Sequence, residues 1–435
     1  HTQGLQSNEL QFTLLSTDEV PKGFESGVTV LGETPRALTI LPDASYAFMA
    51  TDLGVQAVVV DPSIGGYLTA LSIPIAGGLN DIDATPAGNR VYGVSWVTET
   101  LYRIDATPGS IGILSESPIG ARPRGIMVNP RGNHAFIPTD EGEIQIWDVD
   151  ETSPSFLSQV GRVLTPDPNI RGEMTTDPTG ERLLALSGTG KLLVFDLVSK
   201  TLIDEISVGP DPRDVAVDPL GHRAYISDEE GVVSIVSLDD YVCVQTIRTG
   251  GTLRGIAVTP GGAFAHAVNR ELNILNAIDL RESSPTYRTV AATIPLPINP
   301  VDIEISSDGE YAFTVSEAEQ RLVVTTIGLG PSLSTISKSA GPVGATLVFS
   351  GSDFAADSAI VVSFDGVIAS PDRVTENSVV VSVPSGAASG PVSVVAVDTD
   401  GTSLGSNASY FDVLSTTLVD ALRLAAALPG TPSGT

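Results

Sequence analysis

Apolar residues in this chain come in short runs that alternate with polar ones and are cut by Gly, Pro and Asn, the pattern of strands and not of helices. The stretch 124–150, RGIMVNPRGNHAFIPTDEGEIQIWDVD, returns in altered form at 213–240, RDVAVDPLGHRAYISDEEGVVSIVSLDD. Each copy holds an apolar run, a Pro-x-Gly turn, a second run, an acidic or Gly-containing turn and a third run. A fourth run closes most copies, as in TLIDEISVG and YVCVQTIRTG.

The Pro of the turn anchors a repeat. It falls at Pro42, Pro86, Pro130, Pro178, Pro219 and Pro260, with Ser307 in its place the seventh time. Two residues later stand Ala44, Gly88, Gly132, Gly180, Gly221, Gly262 and Gly309. Six after the anchor stand Phe48, Tyr92, Phe136, Leu184, Tyr225, His266 and Phe313. The columns run without a gap, at spacings of 41 to 48 residues. Four antiparallel strands at that period predict a propeller blade, and a blade cannot cover its own faces, so seven must pack around an axis. The seventh unit stops after three strands, while SGVTVLGE at 26–33 is a strand with no blade of its own. Pairing the two closes the ring and removes exposed sheet edges.

At these columns the chain resembles the YVTN-type seven-bladed propellers, relatives of the lactonase-like propellers. The resemblance rests on Pro-Arg-x-x-x-x-x-Pro-x-Gly-x-x-x-Tyr at 212–225, followed by VSIVSL and QTIRTG, and covers about residues 26–330. The name-giving tetrapeptide is degenerate (AYIS, AFIP, AFTV). Such propellers host many functions, so the fold alone assigns none.

After Gly330 the period ends. Short alternating strands between Gly, Pro and Ser turns predict a small β-sandwich over 331–414. SAGPVGATLVFSGSDF, VSVPSGAASGPVSVVAV and the closing YFDV resemble the IPT/TIG family of immunoglobulin-like domains. That resemblance implies a surface or receptor module that spaces or binds. Residues 1–25 read as an extension. The segment 415–435 reads as a short helix, with Leu418, Leu422 and Ala425 on one face, followed by a linker. The start without Met and the linker-like end are what an excised part of a longer chain would show. The predicted fold class is all-β, a seven-bladed propeller plus an Ig-like sandwich.

Charge narrows the partners. The chain carries 52 acidic against 23 basic residues, a formal net charge of −29, so nucleic acid and anionic membrane surfaces are poor partners. No apolar run approaches the roughly 18 residues that span a bilayer. Cys243 is the only cysteine and lies in the apolar run YVCVQTI, which predicts a buried, inert thiol.

Two columns sixteen residues apart mark the first position of strand one and the last of strand two in each unit. The first reads Arg36, Asn80, Arg124, Gly172, Arg213, Arg254 and Val301; the second reads Asp52, Trp96, Asp140, Gly188, Glu229, Arg270 and Glu317. Antiparallel pairing puts both at one end of the sheets, by the mouth of the central channel. Arg36 with Asp52, Arg124 with Asp140, and Arg213 with Glu229 are expected to form structural ion pairs within their blades. Unit six breaks the pattern, with Arg254 facing Arg270. A small anion would be sought there, with Glu317 as the competing partner and Trp96 as a stacking surface.

Other chemistry is sparse. His266 stands in the aromatic column and reads as a packed core residue, while His134 and His222 lie in different blades and share no metal site. His1 would chelate copper only with a second histidine at hand. No His-Glu-x-x-His motif occurs, and no catalytic residue, metal site or cofactor is assigned. Calcium is the single candidate, at DVDETS (148–153) and DTDGTS (398–403), neither a complete loop. Asn407 heads a glycosylation sequon. These features point to an extracellular, cell-surface or periplasmic recognition or scaffold protein that binds a protein or surface polymer. The rivals are a lactonase-like hydrolase at the channel mouth, using carboxylates and a divalent metal, and a subunit of a self-assembling filament.

Overall fold

The computed structural model describes residues 24–414, apart from 62–63, 283, 285, 328–331, 339, 353, 355–358, 365–366, 376–377, 388–389, 398–402 and 406–408. Residues 1–23 of the predicted 1–25 extension, His1 among them, the tail from 415, Asn407 and most of the 398–403 turn lie outside the described residues, while Phe24 and Glu25 belong to the first strand. Among the described residues no helix is long and apolar enough to cross a membrane.

Seven four-stranded antiparallel sheets follow one another along the chain, each ordered from inner to outer strand as the sequence runs. The innermost strands begin at Pro35, Asp81, Met127, Ile170, Pro212, Leu253 and Pro300. The seventh sheet borrows its outermost strand from the N-terminus: Phe24–Val30 pairs antiparallel with Arg321–Thr326, from Phe24 opposite Thr326 to Val30 opposite Arg321. Two side-chain bonds then fasten that strand to blade 1, from Thr29 Oγ1 to the Leu68 carbonyl at 2.7 Å and from Gln56 Nε2 to the Leu31 carbonyl at 2.7 Å.

The core is a set of seven apolar seams, one between each pair of neighbouring blades. Phe48 heads the seam of blades 1 and 2, Tyr92 that of 2 and 3, and Phe136 that of 3 and 4. Leu184, Tyr225 and Phe313 serve the seams 4–5, 5–6 and 7–1. The seam of blades 6 and 7 is built from smaller residues, Val268, Leu275, Ile294, Ile303, Ala312 and Ile327. His266, fully buried, takes the aromatic position on that side.

The Pro-x-Gly anchor has a physical explanation. Each turn closes with the amide of its third residue on the residue before the Pro, as Gly132 N–H to Asn129 O and Gly221 N–H to Asp218 O. The Gly lies at φ of 67° to 75° in six turns, and Ala44 takes φ 52° in the first. A Cβ on Gly221 would stand 3.1 Å from Cδ of Pro178 in the preceding blade, and one on Gly132 would stand 3.2 Å from Pro86. The turns therefore stack as a ring, which demands Gly for both conformation and clearance. Where Pro gives way to Ser307, the Ser307 hydroxyl donates to the Pro42 carbonyl at 2.8 Å and joins the last turn to the first.

One expectation fails. Cys243 is exposed, on the outermost strand of blade 5 beside exposed Val242 and Val244. An outermost strand packs against its own blade on one edge only, so an apolar run there does not imply burial.

The C-terminal unit is a two-sheet sandwich. One sheet runs Ser332–Ile336, Thr346–Ser352, Ser378–Ser382, Arg373–Thr375; the other is built around Gly390–Val397 and Ala359–Phe364. Leu347, Phe349, Phe354, Val362, Phe364, Val379 and Val381 fill the space between, with Phe349 and Phe364 edge to face at 6.4 Å.

Candidate site at the arginine-rimmed end of the channel

The innermost strand of each blade pairs on one side only and leaves a free edge along the channel. Its outward N–H groups need acceptors. Aspartates supply them across the blade boundary. Asp81 Oδ2 accepts from Ile126 N–H at 2.8 Å, Asp83 Oδ2 from Val128 N–H at 2.7 Å, Asp214 Oδ2 from Ile256 N–H at 2.8 Å, and Asp302 Oδ2 from Leu38 N–H at 2.8 Å. In each case the other oxygen accepts the amide of the next residue in its own strand, as Asp302 Oδ1 does from Ile303 at 2.8 Å. These carboxyls stitch blade 2 to 3, 5 to 6, and 7 to 1. Between blades 3 and 4 the strands approach without a stitch: a Cβ on Gly125 would meet the Gly172 carbonyl at 2.4 Å.

At the mouth the same strands are distorted. Pairing shifts between Pro35 and Ala37, Ile170 and Met174, Pro212 and Asp214, Leu253 and Ile256, and Pro300 and Asp302. Of the seven first-column residues, Arg36, Gly172, Arg213, Arg254 and Val301 fall within these shifts, which re-aim side chains. All seven of them line one cavity of about 510 Å³ on the axis, together with Asp81, Asp83, Glu173, Asp214, Asp302 and Glu304. The second column lies at the same end, as amides such as Asp52 N–H to Thr34 O and Glu229 N–H to Asp211 O show, but stands back from the lumen.

The expected pairs form unevenly. Arg213 meets Glu229 at 2.5 Å and also Asp211 at 3.1 Å. Arg254 reaches back to Glu229 at 2.8 Å, and Arg171 pairs with Asp211. Arg270 takes Glu317 at 2.8 Å and the Asn299 side chain. The two like charges of unit six are therefore drawn apart to different carboxylates, and Arg270 does not line the cavity. On the other side no ion pair joins Arg36 to Asp52 or Arg124 to Asp140 among the described residues. Asp52 accepts the Thr34 amide instead, at 2.9 Å. The guanidinium of Arg124 lies 5.5 Å from the centre of the Trp96 ring, with that of Arg122 at 5.7 Å. Trp96 is held by its amide, which donates to the Asn80 side chain. The Nε–H groups of Arg124, Arg171, Arg213 and Arg254 are buried without an acceptor among the described residues.

Below the rim the carboxyls crowd one another. Enclosure by the seven sheets pushes Asp81 up to about 8, Asp214 to about 7 and Asp83 to about 6, against the downward pull of their amide bonds. Asp302 and Glu304 lie well above the usual carboxylate range, first through burial and then through neighbouring carboxyls. Burial also raises Glu173, opposed by Arg171, Arg213 and Arg254. Glu173 is nevertheless exposed, and the other five are partly accessible, so these carboxyls are open to the channel. Burial and the nearby Arg213 lower Arg254. These six acids were not singled out from sequence. Their signal was present as acids interrupting apolar inner strands, in NDIDA, RGEMT, RDVAV and VDIEI.

The remaining candidates are scattered. Asp148 in the 148–153 turn accepts from Asp150 N–H at 3.0 Å and from Ser153 and Ser155 hydroxyls at 2.5 Å. His222 meets Asp239 at 3.0 Å on the surface, and His134 meets Asn133 at 3.1 Å. Among the described residues no three His, Cys, Asp or Glu side chains are grouped to hold a metal ion.

Residues 331–412 match the IPT/TIG domain family. No curated protein matches the chain. The hydrazine synthase of Kuenenia stuttgartiensis is similar in structure, at a TM-score of 0.57 and 18% identity, over 69% of this chain and 97% of that one. That degree of identity speaks for fold alone. The chain is thus a β-propeller joined to an IPT/TIG immunoglobulin-like domain.

Proposed function

We propose that this protein is a recognition or scaffold protein of the extracellular, cell-surface or periplasmic space. Its YVTN-type propeller presents the arginine-rimmed end to a protein or polymer partner, and the IPT/TIG domain acts as a spacer or second contact. The observation that carries the reading is the unequal rim: guanidiniums over blades 4 to 6 are engaged by Asp211 and Glu229, whereas Arg36 and Arg124 have no carboxylate partner among the described residues. Two guanidiniums without a carboxylate, of which Arg124 lies beside the Trp96 indole, are a surface that recognises an acidic group.

A hydrolase at the same mouth is less well supported. Acid–base work needs a carboxyl free to reach substrate, and both oxygens of Asp81, Asp83, Asp214 and Asp302 already hold backbone amides. The test is an array of acidic peptides and polysaccharides probed with the whole chain and with its Arg36→Gln/Arg124→Gln variant. Retention that the double variant loses supports the reading. Retention unchanged by the variant, or lactone turnover by the wild type, overturns it.

A further inference from the structure

Resting on that reading, we infer that the rim and channel together bind a carboxylate-bearing sugar, the chemistry of a uronic acid residue at the end of an acidic polysaccharide. The anion end is assigned to the blade 1–3 side. Arg36 is exposed and lines the cavity, and Arg124 lines it too with its Nε–H unmatched. A planar guanidinium fork suits a planar carboxylate. Trp96 stands at the same rim, half-buried, and offers an aromatic surface next to that charge.

The wall below selects what else the ligand carries. Asp81, Glu173, Asp214, Asp302 and Glu304 face a cavity of about 510 Å³, within the range that holds a small ligand. Among the described residues no neighbouring blade's amide takes the carboxyls of Glu173 and Glu304, so these two are placed to exchange hydrogen bonds with sugar hydroxyls, while Asp81, Asp214 and Asp302, bound to backbone amides, form the polar wall around them. The same acids repel a second negative charge, which disfavours phosphate and polyphosphate. A chain of −29 overall gathers cations at this rim and acids directly beneath it, so one negative group per hydroxylated ring is the ligand that fits both.

The experiment is titration calorimetry of the whole chain near neutral pH with D-glucuronate, and with D-glucose, acetate, inorganic phosphate and a glutamate-rich peptide as comparators. Glucuronate is expected to bind saturably, at least tenfold tighter than glucose, acetate or phosphate, and to weaken at least tenfold in both Arg36→Gln and Arg124→Gln. Arg36 is exposed, so its variant retains the fold, which an unchanged melting temperature verifies. The inference is overturned if glucuronate does not saturate, if glucose or phosphate binds equally well, or if neither substitution weakens it. Should glucuronate fail while the acidic peptide binds and loses affinity in the double variant, the sugar assignment falls and rim recognition stands. If no ligand responds to the rim substitutions, both fall together.

Discussion

His266→Phe should make the protein more stable, and more so in acid. His266 is fully buried, neither ring nitrogen has a partner among the described residues, and its ring lies 6.2 Å from that of Phe264. The equivalent position in other blades holds Phe48, Phe136 or Phe313, so a phenyl ring suits the site's backbone geometry. Removing orphaned polar atoms from an apolar seam contributes about 1–3 kcal/mol at pH 7. Desolvation lowers the folded-state pKa from 6.5 to about 4. A buried histidine of this kind contributes stability above its unfolded pKa, and that stability is lost as pH falls from about 6.5 to about 4. The loss approaches about 1.4 kcal/mol per pH unit within that window, or about 3 kcal/mol in all. Urea unfolding at pH 7 and pH 4.5 measures both effects. A variant less stable than wild type at pH 7, with an unchanged acid slope, would mean that the ring nitrogens are bonded and the seam is full.

Asp302→Ala removes the acceptor for Leu38 N–H and Ile303 N–H, and channel water replaces it only partly. The cost expected in urea unfolding is about 1–3 kcal/mol, whereas Asp140→Ala at the rim stays within about 0.5 kcal/mol; equal effects would refute the stitching role. Between pH 6.5 and 8 the folded state holds protons on Asp81 and Asp214 that the unfolded chain has released, because their folded values are about 8 and about 7 against 3.8. Stability should therefore fall as pH rises through this window, above the histidine range, and Asp81→Asn/Asp214→Asn should flatten the trend in melting temperature. Gly221→Ala forces a side chain to φ 74° and against Pro178, with an expected loss of about 1–2 kcal/mol. The opposite change, Ala44→Gly, relieves a residue at φ 52° and should be neutral within about 1 kcal/mol. A comparable loss at both sites would show that the turns do not stack as described.

The ring was legible because each blade must repeat the same solution to the same packing problem. Pro-x-Gly recurs since every turn rests on the turn before it, and the aromatic column recurs since every seam needs a large side chain. The unmatched strand at both ends followed from counting. Side-chain partners were less legible, because residues sixteen apart share an end of the sheet while bulges in the inner strand re-aim them. Arg213 thus reaches Glu229 of its own blade, but Arg254 crosses to that same glutamate and Arg36 meets no acid among the described residues. The channel acids were hidden for a different reason. An aspartate in an apolar strand looks like an interruption until the free edge of the neighbouring blade supplies the amide it accepts. Cys243 misled in the opposite direction, since its apolar neighbours mark an outermost strand and not a core.

Phe24–Val30 completes the seventh blade and so holds the channel closed. Amide hydrogen exchange of the native protein, read on peptides covering 24–30 and 321–326, tests this directly. Closure predicts that both peptides are protected and open together. Exchange of 24–30 at the rate of an unstructured chain, with 321–326 still protected, would contradict it.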